Sequence, residues 1–343
     1  MHCGCFIVPT KVLVRFSRDK SLSAAQRKSF ADAAKFEVEW RTARNAQARL
    51  SSAARAMLTA GAVAAAPPMV TVYDCGHSTA LPGVPVPNPG ASNDPTSKRA
   101  FVETSAVADF YQTLFSRNSV DNAGMTLMSS VHFGVNYNNA FWNGQQMTYG
   151  DGDGQIFVDF TNSNDVIGHE LTHGVTQFTA ELSYQDEAGG LNESISDVFG
   201  SMFRQWQAQQ TVQQADWLIG KDIMGPAASA KGYTCLRDMS DPAAKHCLAP
   251  QPTKFSQFKK GMDPHYSSGI PNFAFYKAAT AIGGSSWTKA GRLWYAALTT
   301  FPPSPNLKMK AFANRTRSLA KSTFAGDPSV YTAVDTAWKA VGL

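Results

Sequence analysis

Two histidines four residues apart, in His169-Glu170-Leu171-Thr172-His173, with Glu193 twenty residues after the second, constrain this chain more than any other feature. From Asp165 to Phe178 apolar residues recur at helical spacing, and Asn164 or Asp165 can serve as N-cap. On a helix, residues four apart share a face, so both imidazoles can reach one ion. Zinc takes neutral imidazoles and carboxylates, and a catalytic zinc keeps one position open for water. His169, His173 and Glu193 make such a three-ligand set. Glu170 then lies beside the water position as candidate general base. The pattern points to metal-assisted hydrolysis, above all of a peptide bond.

A bare His-Glu-x-x-His also fits an exposed amphipathic helix that holds no metal. The stretch from Leu191 to Phe199 argues against that reading. It reads as a second amphipathic helix, with Glu193 and Asp197 four apart on one face beside Ile195, Val198 and Phe199. Two carboxylates there are costly to bury without partners. Glu193 can ligate zinc. Asp197 can accept from the far nitrogen of a ligand histidine and fix its tautomer, and Asn192 is grouped with it around the ligands.

Six segments in order resemble the thermolysin-like metallopeptidases, and among them the protealysin-like group with a short precursor. They are Tyr137–Gly144, Tyr149–Gly154, the histidine helix, Gly190–Asp197, Leu236–Pro242 and His265–Ile270. The likeness runs from about Tyr73 to the C-terminus. It implies an α+β chain with a β-rich N-terminal lobe, a helical C-terminal lobe and zinc in the cleft between them. The expected boundaries are 1–66 for an inhibitory precursor with its linker, 67–180 for the β-rich lobe ending in the zinc helix, and 181–343 for the helical lobe.

The resemblance also implies roles. Asn139 and Ala140 belong to a substrate-binding edge strand, to which an extended peptide adds through backbone hydrogen bonds. Phe141 and Trp142 can equally be core. Arg237 corresponds to an arginine that donates to a substrate carbonyl; a surface ion pair with Asp238 or Asp241 is the bland alternative. Tyr184 and His265 correspond to oxyanion donors. The aspartate usual five residues before this histidine is replaced by Lys260, and Asp263 is the nearest carboxylate. Phe157, Phe160, Val166 and Leu236 occupy positions that line a pocket for a large apolar side chain just after the cleaved bond. Of the calcium ligands common in the family, Asp165 and Asp216 remain, whereas Arg204, Leu218 and Lys221 replace carboxylates. The calcium pair is therefore expected to be absent.

The 343 residues, 43% of them hydrophobic, can supply two cores. No apolar run approaches the ~20 residues that span a membrane. Cys5 to Val8 is too short for a secretory h-region of about 7–15 residues, and Lys11 and Arg15 interrupt the stretch after it. A cytoplasmic location is the expectation, with release by a non-classical route as the alternative. Residues 1–66 carry eleven Lys/Arg against four Asp/Glu, a charge of +7, which leaves −2 for the rest of a chain whose total is +5. This basic segment has no nucleic-acid motif and reads as solvated helix from Ser23 to Ala60, able to help the segment dock. Phe30, Phe36, Val38, Trp40, Leu50 and Leu58 are its candidate buried positions.

Ala60 to Pro68 reads as a protease-accessible linker, and Leu81 to Pro95 as a surface loop. Phe101–Arg117 is expected to be helical and Met125–Asn139 extended. Helices are also expected over Pro271–Ile282, Trp287–Thr300, Lys308–Phe324 and Pro328–Val341. The odd count of five cysteines argues against a fully paired secreted framework, though Cys235 and Cys247 could pair on export. Cys5-Phe-Ile-Val-Pro9 resembles the start of protealysin-type precursors, which implies Cys5 as a precursor ligand to the zinc, with Cys3 as its rival. The reading is a zinc endopeptidase inhibited by its own N-terminal segment and acting on protein or peptide substrates. An exopeptidase and a catalytically silent binding protein are the alternatives; the edge strand argues against the first and the intact Glu170 against the second.

Overall fold

The structure, a computed structural model, describes residues 5–48 and 67–343. Cys3, Leu50, Leu58 and residues 60–66 of the expected linker lie outside them. In chain order the elements are β1 (Cys5–Phe6), α1 (Thr10–Ser17), α2 (Ala24–Ala48), β2 (Val70–Asp74), β3 (Val84–Pro85), α3 (Pro95–Phe115), β4 (Leu127–Val131), β5 (Ala140–Trp142) and β6 (Met147–Tyr149). Next come α4 (Asn164–Gln177), α5 (Asp186–Gln207), β7 (Leu218–Ile219), α6 (Pro226–Ala230), β8 (Arg237–Asp238), α7 (Pro264–Ser267), α8 (Gly269–Ile282), α9 (Ala290–Thr299), α10 (Met309–Thr323) and α11 (Pro328–Ala340). The chain divides into two compact units. One runs to Ser163 and adds Ile223–Lys231; the other comprises Asn164–Asp222 and Gly232–Leu343.

The first unit is built on a six-stranded sheet in the order β1-β5-β6-β4-β2-β3. β2 and β4 are parallel, which demands a crossover, and α3 supplies it. Pro95 opens α3, and Asp94 caps it by accepting from the Thr96 and Ser97 amides at 3.2 and 2.8 Å. The extended stretch expected over Met125–Asn139 stops at Val131. His132, Gly134 and Asn136 take positive φ there (52°, 66° and 50°), which ends the pleat and turns the chain toward β5.

The N-terminal segment contributes to this unit. β1 pairs antiparallel with β5, Cys5 opposite Trp142 and Phe6 opposite Phe141. On α2, Phe30, Ala33, Ala34 and Glu37 are buried, the i, i+3, i+4, i+7 face of a helix. Val38 falls off that face and is 55% exposed, contrary to its place among the candidate buried positions. Phe36 and Trp40 meet an aromatic cluster: Phe36 lies 5.3 Å from Phe133, 5.7 Å from Tyr137 and 5.7 Å from Phe141, centroid to centroid, and Trp40 5.8 Å from Phe141. Each such pair adds about 0.5–1.5 kcal/mol beyond its buried area. Phe141 is thus core as well as strand.

An ion pair here joins Asp19 to Lys231 at 3.1 Å, an acid of the segment on a base of the later chain, while Lys28 and Lys35 pair within α2 with Asp32 and Glu39. Of these pairs only Asp19–Lys231 reaches beyond the segment, and it is opposite in sense to docking through the basic excess.

His132 Nδ1 lies 2.9 Å from Asp151 and Nε2 3.2 Å from Asp94. Asp151 raises the imidazole from 6.5 to about 9, against burial, with Asp94 adding to the effect. A raised pKa stabilises the fold fully below the unfolded value and loses that contribution as pH rises through the folded one. The thermal midpoint is therefore expected to fall between pH 6.5 and about 9. Asp151→Asn should flatten that part of a calorimetric pH profile; an unaltered slope would remove His132 from the effect.

The second unit is helical, with β7 and β8 as a small antiparallel pair. α4 and α5 approach so closely that a Cβ on Gly200 would stand 2.4 Å from the Asp165 carbonyl oxygen, and one on Gly168 3.1 Å from the Gly200 Cα. Only glycine lets these two backbones meet. Farther along, Trp294 and Trp338 stack at 5.8 Å, and the Trp338 indole donates to Thr316 Oγ1 at 2.8 Å. α8, α9, α10 and α11 lie within two or three residues of their expected bounds.

Candidate active site

The close α4–α5 contact sets the faces of both helices toward one another. His169 and His173, one turn apart on α4, bring their Nε2 atoms to 3.0 Å. Glu193 on α5 stands opposite, 3.6 Å from His169 Nε2 and 3.4 Å from His173 Nε2. Two nitrogens on a tetrahedral zinc at about 2.0–2.1 Å lie roughly 3.3–3.4 Å apart, so the three donors fit such an ion closely. Among the described residues they form one of two groups able to hold a metal. All three are buried.

The far ring nitrogens are held by neighbours. His169 Nδ1 lies 2.9 Å from Asp197 Oδ1, and His173 Nδ1 lies 2.8 Å from Asn192 Oδ1 and 3.0 Å from Ser196 Oγ. Donation from Nδ1 leaves the Nε2 lone pairs aimed at the shared point. Burial, then the neighbouring His169, push His173 down to about 3, so it stands neutral, as a ligand must. Burial alone would raise Glu193; His265, the two ligand histidines and Arg237 outweigh it and hold the carboxylate below its usual range.

Arg237 closes this arrangement from behind. It is fully buried, and its Nε and Nη2 donate to Asp197 at 2.8 and 2.7 Å. The surface pair with Asp238 or Asp241 is thereby corrected: the partner is Asp197, in the interior. Asn272 Nδ2 adds a third donor to Asp197 at 2.8 Å. Asn272 and Ser196 escaped the sequence reading. Asn272 had a signal, as an amide in the apolar run from Ile270 to Phe275 of α8.

Tyr184 donates its hydroxyl to Glu193 Oε1 at 2.5 Å and lies 3.2 Å from His265 Nε2. Asp263 supplies the carboxylate that Lys260 cannot. Its Oδ1 caps α7 by accepting the His265 amide at 3.0 Å and lies 2.7 Å from His265 Nδ1. A Cβ on Gly189 would stand 2.7 Å from Pro264 Cγ, so this glycine lets α7 come near enough to α5 to deliver His265. Glu170 is buried on α4 next to His169.

The other expected positions divide between the units. Phe157 and Phe160 pack at 5.4 Å in the first, where Phe157 also meets Phe30 at 6.2 Å. Val166 and Leu236 are buried in the second. Ala140 opens β5 and Asn139 precedes it, on the side that β1 covers. The Asn139 side chain accepts from the Val8 amide at 2.9 Å and donates to the Val8 carbonyl at 3.2 Å, and the Ala140 carbonyl accepts from the Ile7 amide at 3.1 Å. The Cys5 sulfur is engaged in a disulfide, a form with no thiolate to offer a metal.

A three-ligand set that fits zinc, backed by hydrogen-bonded partners and flanked by a buried glutamate, is the site of a metal-dependent hydrolase, and with the family matches that follow the chain is a metalloendopeptidase. Residues 70–177 match the thermolysin metallopeptidase catalytic domain and residues 180–343 its alpha-helical domain, and the chain belongs to that family, in its protealysin-like group. An extracellular metalloprotease of Pectobacterium carotovorum subsp. carotovorum is 41% identical over 284 residues, 80% of each chain. Protease PrtS of Photorhabdus sp. (strain Az29) is 38% identical over 80% of this chain and 76% of its own. The solved precursor of protealysin, a metalloproteinase from Serratia proteamaculans, superposes with a TM-score of 0.81 at 38% identity, over 98% of this chain and 99% of its own. The family match passes from one domain to the next between 177 and 180, whereas the compact units part at Ser163, which sets the zinc helix with the helical unit.

Proposed function

We propose that this endopeptidase is held inactive by its own residues 1–66 and, once released, cuts before large apolar side chains. The pairing of β1 with β5 carries the first part. Residues 5–8 lie on the edge strand as an extended peptide would, and Asn139 grips both backbone groups of Val8. Val8→Pro removes one of those donors while keeping the extended backbone. The uncut variant is expected to hydrolyse casein measurably faster than the uncut parent; equal latency would take strand addition out of the mechanism. A zinc-ligand role for Cys5 belongs to the reduced chain alone, since a disulfide sulfur is no thiolate.

When bound by His169, His173 and Glu193, zinc supplies Lewis acidity toward a water and a scissile carbonyl. Glu170 accepts the proton of that water and passes it to the leaving amine. His265 and Tyr184 donate to the developing oxyanion, each such donor contributing about 2.7–4 kcal/mol. Asp263 keeps the His265 ring oriented. Arg237, fixed on Asp197, carries the expected role of donor to a substrate carbonyl. Desolvating a Leu- or Phe-sized side chain just after the cleaved bond would contribute roughly 1.5–3 kcal/mol. Mass spectrometry of casein fragments, with and without 1,10-phenanthroline, tests this: metal-dependent internal cuts before Leu, Ile or Phe are expected, and terminal trimming alone would favour an exopeptidase.

The calcium pair is replaced by ion pairs in this reading. Arg204 bridges Asp165 at 3.4 Å and Asp222 at 2.7 Å, and Lys221 pairs with Asp216. The Gly220 amide takes the other Asp165 oxygen at 2.6 Å. The thermal midpoint is expected to be the same in EGTA and in millimolar calcium; a rise of many degrees with calcium would overturn the replacement. No helix among the described residues is long and apolar enough to cross a membrane.

A further inference from the structure

Cys235 and Cys247 face each other across an isolated parallel bridge, clamped by Thr234 N–H to His246 O at 3.0 Å and Leu248 N–H to Cys235 O at 2.9 Å. Both are buried free thiols with Sγ atoms 3.6 Å apart. A disulfide needs about 2.05 Å. Two thiolates on one tetrahedral zinc, at about 2.3 Å each, stand roughly 3.8 Å apart, and the observed spacing is near that edge. His246 precedes Cys247 and brings its ring to the same place: one donor atom from each of the three residues lies within 4.8 Å of the others.

Cys235 and Cys247 share a small apolar cluster with Ala244, and Leu218 packs against it, so two buried thiols alone would read as ordinary small core groups. The imidazole sets this cluster apart. Its Nε2 is buried and has no hydrogen-bond partner, yet Asp238 Oδ2 stands 3.3 Å away. Asp238 is itself fixed, its Oδ1 accepting from the Ser240 amide at 2.7 Å, the Ser240 hydroxyl at 2.6 Å and the Asp241 amide at 3.1 Å. A carboxylate set against the ring is the arrangement that tunes histidine ligands.

We propose that Cys235, His246 and Cys247 form a second zinc site, separate from the catalytic one, with Asp238 holding the imidazole. Binding releases the two thiol protons and leaves a cluster of two thiolates, one neutral imidazole and one divalent cation with no net charge. The His246 side chain is 40% exposed, so the fourth position faces solvent and takes a water. The site closes the loop between Cys235 and Cys247. That loop begins with Leu236 and Arg237, so the ion tethers the strand that carries the Asp197 clamp.

The test uses the full chain, purified under reductant. About two zinc per chain are expected by mass spectrometric metal analysis, and about one in the Cys235→Ser/Cys247→Ser double variant, because structural zinc needs its full ligand set. Cobalt substitution gives an independent reading. His169, His173 and Glu193 include no sulfur, so a thiolate-to-cobalt charge-transfer band reports the new site. The band should persist in Cys5→Ser and vanish without Cys235. Should the double variant not fold, Asp238→Asn serves instead, and zinc at this site should weaken about 10–100-fold. One zinc per chain with no thiolate band overturns the proposal. So does a Cys235–Cys247 disulfide that forms in the reduced, zinc-supplied protein.

Discussion

Glu170→Ala is expected to lower kcat/KM on a peptide substrate roughly 10²–10⁴-fold while zinc stays bound. The metal set is His169, His173 and Glu193, and Glu170 projects from the same turn of α4 without belonging to it. Its removal would delete the proposed proton acceptor and spare the ligands. Glu193→Ala separates the two roles, since that variant should lose zinc from the catalytic site. Metal analysis beside casein hydrolysis distinguishes them. A Glu170→Ala enzyme working near the parental rate would end its assignment as base, whatever its zinc content.

Arg237→Ala should be the most damaging change to the fold around the site. Asp197 is fully buried, and burial would raise its pKa; Arg237 first, then His169, hold it well below the usual carboxylate range. Without the guanidinium only His169 and Asn272 remain of the partners described for Asp197. Breaking a buried pair by removing one member costs about 3–5 kcal/mol. A clear drop in thermal midpoint is expected, together with weaker zinc retention as His169 loses its fixed partner. Arg237→Lys should recover the charge but not the two-pronged geometry, and so only part of the stability. An unchanged midpoint in Arg237→Ala would mean that the pair is offset by its own desolvation.

The site was legible where chemistry is local in sequence. His169 and His173 are one turn apart, Glu193 and Asp197 one turn apart on the next helix, and helical periodicity alone puts each pair on a face. Asn272 comes to Asp197 from another helix, 75 positions along the chain, and nothing local announces that meeting. The orienting partner of His265 moved from five residues before it to two, because Asp263 also serves as the N-cap of α7. The α8–α11 helices were readable from their apolar spacing. The short β-elements were not: β1, β7 and β8 have two residues each, and pairing with a distant strand, not propensity, makes them strands. α1 escaped notice because its polar face, with Lys11 and Arg15, interrupts an apolar text that its buried Val12, Leu13 and Phe16 continue on the other side.

β1 has a further consequence, for the chain before it is ever an enzyme. In the sheet order β1-β5-β6-β4-β2-β3, taking β1 away turns β5 into an edge, with unpaired backbone and the ring of Phe141 beside it. Bare apolar edges are the places where a folding chain pairs with its neighbours and aggregates. In the folded structure the two-residue strand β1 covers that edge. Removing residues 1–66 before the sheet has formed should then yield less soluble protein.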